Sequence, residues 1–108
     1  GLFVCLDAGT GQELWQTNTV TELRPGACVH LTPNGSSLFL FTDQGDLVRA
    51  QLGPSGYREL GRTHLIEPTS LLFTNKFAWA APAFANRNIF VRNDRELRCY
   101  SLAGKKEK

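Results

Sequence analysis

CLDAGTGQELW, residues 5–15, decides the fold, because its pattern returns forty-five positions later. Setting Cys5 on Ala50 puts Thr10 on Ser55, Gly11 on Gly56, Glu13 on Arg58 and Trp15 on Leu60 without a gap. Both copies carry a small residue, then Thr or Ser followed by Gly, then a large apolar residue four positions on. A second pair supports the repeat: LFLFTDQGDL (38–47) aligns with IFVRNDREL (89–97) after one deletion, at a spacing of fifty to fifty-one residues. A fixed period of about 40 to 50 residues is the mark of β-propeller blades, each a small four-stranded sheet.

Working outward, turn residues cut the chain into short strands. Leu2 to Asp7 is rich in β-formers and stops at Ala8-Gly9-Thr10-Gly11, after which Glu13 to Thr17 is extended again. Ala27 to Leu31, Ser37 to Thr42, Asp46 to Leu52 and Tyr57 to Thr63 follow, separated by Asn34-Gly35, Asp43-Gln44-Gly45 and Gly53 to Gly56. Asn-Gly between apolar runs predicts a type I′ hairpin, which needs positive φ at both central residues. Residues 26–63 therefore form one complete blade and 1–17 the end of another. Glu67 to Lys76 is a connection with a short strand at Leu71 to Phe73. Trp79 to Phe84, Asn88 to Arg92 and Glu96 to Leu102 make a last blade, 79–102, that lacks its outer strand. Residues 103–108 are a polar tail.

The run Ser37-Leu38-Phe39-Leu40-Phe41 does not alternate polar with apolar. A half-exposed sheet shows period two, whereas a strand covered on both faces shows a continuous apolar run. A blade packed between two others has that environment, so the predicted fold is all-β: a propeller fragment of about two and a half blades.

Composition narrows the function. The 108 residues are 42% hydrophobic and 20% charged with net charge +2, which excludes a disordered chain and gives no electrostatic pull toward nucleic acid. No apolar run reaches the roughly 18 to 20 residues of a membrane-spanning helix. The chain contains no methionine and enters in what reads as mid-strand, so it is expected to be a piece of a longer protein, with any targeting segment upstream. Cys5, Cys28 and Cys99 are an odd set without CxxC spacing and read as small buried hydrophobes rather than as a disulfide framework.

Within the 5–15 stretch, Asp7 is placed to accept hydrogen bonds from turn amides, and Thr10 to do so more weakly. Gly11 can adopt positive φ and leaves its peptide face bare for the flat indole of Trp15, provided position 5 is small. The second copy is degenerate: Leu52 stands where the first has Asp7, and Leu60 puts a smaller plug in the Trp socket.

These residues carry a family resemblance. CLDAGTGQELW resembles the tryptophan-docking motif of PQQ-like (pyrroloquinoline-quinone repeat) propellers, Ala-x-Asp-x-x-Thr-Gly-x-x-x-Trp, with Asp7, Thr10, Gly11 and Trp15 matching and Cys5 in place of Ala. The segment 79–102 is similar to the family's Trp-x-x-Pro strand followed by a hairpin. The resemblance is closest in kind to the BamB-type propellers of bacterial cell envelopes. It implies a structural role for Cys5, Asp7, Thr10, Gly11 and Trp15, and for the second copy Ala50, Ser55, Gly56 and Leu60, in clamping one blade to the next. It further implies a non-enzymatic scaffold for protein partners in a periplasmic or otherwise extracytoplasmic setting. A fragment of a PQQ-dependent dehydrogenase and the sensor propeller of a signalling kinase stay open as alternatives. PQQ and calcium enter only if other blades supply their ligands. The third copy starts at Cys99 and its Trp position falls one residue past Lys108. With the polar tail, this places the chain at the C-terminal end of a ring whose last blade is completed by a strand from the N-terminus.

The remaining polar residues suggest no reaction. His30 and His64 lack ligand partners at metal-binding spacing. Asp43, Asp46, Asp94 and Glu96 are expected as solvated turn acids, Lys105, Lys106 and Lys108 as a solvated tail, and Phe39, Phe41, Phe84 and Phe90 as core. No nucleophile elbow, phosphate loop or paired-carboxylate arrangement is present.

Overall fold

Residues 1–104 are described by a computed structural model. The described chain is all-β, with no helix, and its strands form small antiparallel sheets of four, three, two and two strands. The first sheet pairs β1 (Phe3–Leu6) with β2 (Glu13–Thr17). The 26–63 stretch holds a four-stranded meander of β3 (Val29–Asn34), β4 (Ser37–Thr42), β5 (Asp46–Gly53) and β6 (Gly56–His64). A hairpin of β7 (Ser70–Leu72) and β8 (Asn75–Phe77) follows. The last sheet orders β9 (Ala83–Ala85), β10 (Asn88–Arg92) and β11 (Leu97–Ser101) side by side.

The apolar run of β4 divides between two cores. Phe41, with Phe39 beside it, joins Leu47, Leu65, Ile66, Ile89 and Val91 in a cluster against the β9–β11 sheet, to which Phe84, Tyr100 and Leu102 add. Leu40 and its neighbour Leu38 face the other way, with Val20, Val48 and Ala50, against Phe3 of the β1–β2 sheet. Successive residues of a strand point to opposite faces. The β3–β6 sheet is thus covered on both sides, which is why its central strands read as continuous hydrophobic runs.

Several local expectations need correction. The β3–β4 register pairs Asn34 with Ser37, so the loop is Gly35-Ser36 and only Gly35 (φ 58) has positive φ; Asn34 stays in the strand. The turn with positive φ at both central residues lies instead between β9 and β10, at Asn86 (φ 50) and Arg87 (φ 62). The connection is not one strand at 71–73 but the β7–β8 hairpin, with Phe73 in its turn. From Trp79 to Phe84 only the end is strand. Pro82 has no N–H to give a ladder, and Trp79 is drawn out of line by contacts described below. Asp43, expected in solvent, is fully buried (0% exposed). Lys105, Lys106 and Lys108 lie outside the described residues.

Candidate functional site

The 5–15 hairpin loop is organised by Asp7. Its Oδ1 accepts from the N–H groups of Gly9 (2.8 Å) and Thr10 (2.9 Å), and its backbone carbonyl accepts from the N–H of Gly11 (2.7 Å). The amides of Thr10 and Gly9 hold the Asp7 carboxyl below its ordinary value. Thr10 Oγ1 in turn accepts from the N–H of Gln12 at 3.2 Å, and Gly11 turns with φ 74. This loop leaves Cys5 and Trp15 as direct register partners across β1 and β2.

From there Trp15 reaches the next sheet. Its Nε1–H donates to the Gly53 carbonyl at the end of β5, 2.8 Å away. Its ring packs in a triangle with Phe3 (centroids 6.0 Å apart) and Tyr57 (6.5 Å). Burial and the neighbouring Glu59 push the Tyr57 phenol up to about 12. The glycine that the indole bonds is Gly53, on the neighbouring sheet.

The second copy is built differently. Gly53 pairs with Gly56, so Ser55 occupies a tight two-residue loop with Pro54, unlike the longer loop around Thr10. Ala50 is buried and pairs with Glu59, which leaves Leu60 in a bulge, 37% exposed, without the docking contacts of Trp15. Its glycine end instead receives the plug of the first copy, through Gly53.

A second clamp, not foreseen from the sequence, uses Trp79. Its Nε1–H donates to the Gly26 carbonyl at 2.8 Å, and its ring stacks on Phe77 at 4.7 Å and 8°. The Arg24 guanidinium lies 5.6 Å from the centroid of the Phe77 ring, within cation–π range. Gly26 (φ 87) has no room for a side chain: a Cβ there would come within 2.9 Å of Leu72 Cδ2 and 3.1 Å of Phe77 Cζ. The His30 ring Nε2 sits 3.0 Å from the Trp79 carbonyl and ties β3 to the same segment. The available signal was an Arg-Pro-Gly turn and a Trp two residues after a Phe, which have no fixed spacing to each other.

Beside the second clamp lies Asp43, bonded to Arg24 and Ala78. Its Oδ1 accepts from Thr21 Oγ1 (2.7 Å) and the Cys28 N–H (3.3 Å), and its Oδ2 from Gln44 Nε2 (2.9 Å) and Arg24 Nη2 (3.2 Å). Its carbonyl accepts from the Ala78 N–H. One residue thereby holds the 21–24 loop, the start of β3 and the end of β8 together. Burial alone would raise its pKa, but the bonds from Gln44, Thr21 and Arg24 outweigh it and the net shift is downward.

The other turn acids are also engaged. Asp46 binds Arg62 (3.1 Å) and His64 Nδ1 (2.7 Å), and the other His64 nitrogen meets Glu67 (2.8 Å). The bond to Asp46, aided by Glu67, raises the His64 pKa against the opposing effect of burial. Asp94 Oδ2 accepts from Thr69 and Ser70 hydroxyls, and Glu96 pairs with Arg98. Cys5 and Cys28 are half-buried, but Cys99, expected as a small buried hydrophobe, is exposed on the edge strand β11. Among the described residues no group of three His, Cys, Asp or Glu side chains is placed to hold a metal ion, and no helix is long and apolar enough to cross a membrane. Twice, an indole on one segment is bonded to a glycine carbonyl on another. Compared with family models, curated proteins and solved structures, the chain matches none.

Proposed function

We propose that this chain forms consecutive blades of a PQQ-like β-propeller that serves, outside the cytoplasm, as a non-enzymatic scaffold for protein interaction or envelope assembly. The observation that carries this is the β3–β6 sheet, apolar on both faces and packed between two other sheets. Blades are the common architecture in which a four-stranded sheet has a sheet on either side. The Trp15–Gly53 bond supports the same reading, since it locks one sheet to the next at the place the docking motif occupies. A rigid ring of this kind presents variable loops while its core stays fixed, which suits recognition rather than turnover.

The test is catalytic. The purified intact protein, incubated with pyrroloquinoline quinone and calcium, is expected to show no stable quinone absorbance and no dye-linked alcohol oxidation. Turnover above the buffer rate would replace the scaffold reading with the dehydrogenase one.

A further inference from the structure

The two connections between successive sheets differ in length. From β2 to β3 the chain uses residues 18–28, whereas from β6 to β9 it uses 65–82, seven residues more, and the longer one holds the β7–β8 hairpin. In repeat architectures such additions map to loops on one face, often the face that binds.

The hairpin is well anchored. Phe77 at its base is buried, Thr69 and Ser70 bond the Asp94 carboxylate, and Gln44 Nε2 donates to the Lys76 carbonyl. Its tip is the opposite. Phe73 is 82% exposed, with φ 54, a conformation that a bulky aromatic rarely adopts and that glycine or asparagine fills at less cost. Leu71 beside it is 67% exposed. Local folding gives no reason for an aromatic at that corner, and strain held in place by surrounding structure is a recognised mark of binding sites.

We propose that the β7–β8 hairpin is a docking finger whose Phe73, with Leu71, inserts into an apolar pocket on a folded protein partner. Residues 68–75 carry no charge and Lys76 is the hairpin's one cation. That fits a dry pocket, where aromatic anchors dominate binding. It does not fit an anionic lipid surface, which selects clusters of about four to eight basic residues. The proposal rests on the scaffold reading and adds to it the contact surface.

Phe73→Gly in the intact protein separates this role from a folding role. Glycine relieves the positive-φ strain, so the melting temperature is expected to hold or rise, while a Phe73 that serves folding would lower it. For the partner, benzoylphenylalanine is placed at 73 and, as a control, at exposed Arg58 on the outer strand β6, and crosslinked in cells. A discrete protein adduct from position 73 alone is expected. That protein, purified, should bind the Phe73→Gly variant at least tenfold more weakly and the Arg58→Ala variant normally. A lipid adduct, no adduct, equal adducts from both positions, or unchanged affinity of the glycine variant would overturn the proposal. So would binding to vesicles of phosphatidylglycerol and phosphatidylethanolamine that Phe73→Gly abolishes. Alcohol oxidation by the same preparation would instead count against the scaffold reading, so the two failures are distinguishable.

Discussion

At the scale of the residue, two tryptophans and one buried aspartate hold segments far apart in sequence. Truncating Trp15 removes both the bond to Gly53 and the packing on Phe3 and Tyr57. Trp15→Ala is expected to cost about 3 kcal/mol, the low end for aromatic truncation because the ring is only half-buried. Leu60→Ala should cost less, about 1 kcal/mol, since that side chain is 37% exposed and lacks the bond and aromatic contacts of Trp15; urea titrations of the two variants check the contrast. Titration behaviour divides by sign. The Asp43 pKa is lowered in the folded state, so its contribution is present above its unfolded value and is lost as pH falls through the folded one. The His64 pKa is raised, so its contribution is full below its unfolded value near 6.5 and fades as pH climbs through the folded one. Melting temperature should therefore fall in acid for Asp43 and slip mildly as pH rises past about 6.5 for His64. In His64→Gln the alkaline slip should vanish and the acid loss persist, read by calorimetry from about pH 3 to 9. The loop of the 5–15 motif was legible in sequence because its bonds are local, whereas the Trp15 bond to Gly53 spans 38 positions and was not. Asp43 was not, because its partners Thr21 and Arg24 lie about twenty positions upstream and only tertiary closure surrounds its carboxylate.

At the scale of the element, the β6–β7 connection is pinned by the turn between β4 and β5. The Gly45 carbonyl accepts from the N–H groups of Leu65 (2.9 Å) and Ile66 (3.4 Å), which seats both side chains in the core facing the last sheet. Gly45 has φ 84, and an added Cβ would collide with the Ile66 carbonyl oxygen. Gly45→Ala is accordingly expected to cost about 3 kcal/mol or more, by backbone strain and by displacing Leu65 and Ile66. Loss of slow-exchanging amides in β4 and β5 would report it, and a variant that keeps wild-type exchange would refute it. The same scale explains which elements the sequence revealed. Strands β3 to β6 are bounded by Gly, Asn and Asp turns and carry β-formers, so pattern and propensity agreed. The β7–β8 hairpin escaped because its corner is Phe73-Thr74, neither a turn-forming residue. The second docking copy kept its spacing in sequence but not in space. Closing Pro54-Ser55 into a tight loop moves the bulge to Leu60 and takes it out of register with Ala50.

At the scale of the whole molecule, the sheets spread rather than wrap. The radius of gyration is 15.0 Å and the extents are 45 × 45 × 19 Å, against about 13 Å for a compact chain of this length. The accessible surface is 7256 Å², where about 6,000 Å² is usual at this mass. Much of the excess is apolar: Val4, Leu6 and Leu14 on the β1–β2 sheet are exposed, as are Leu97 on β11 and Leu31 on β3. Isolated residues 1–108 are therefore expected to self-associate at micromolar concentration in sedimentation runs. A monodisperse monomer with a sharp cooperative melt would count against open apolar sheet faces. The sequence pointed to layered sheets because each covered face leaves its own apolar run, whereas no local pattern records whether the sheets close into a ring. Electron cryomicroscopy of the intact protein addresses that directly. A closed ring of four-stranded sheets about one axis, with Trp15 Nε1 bonded to the Gly53 carbonyl across adjacent sheets, is expected. A closed layered sandwich without radial repetition, or an indole turned to solvent, would contradict it.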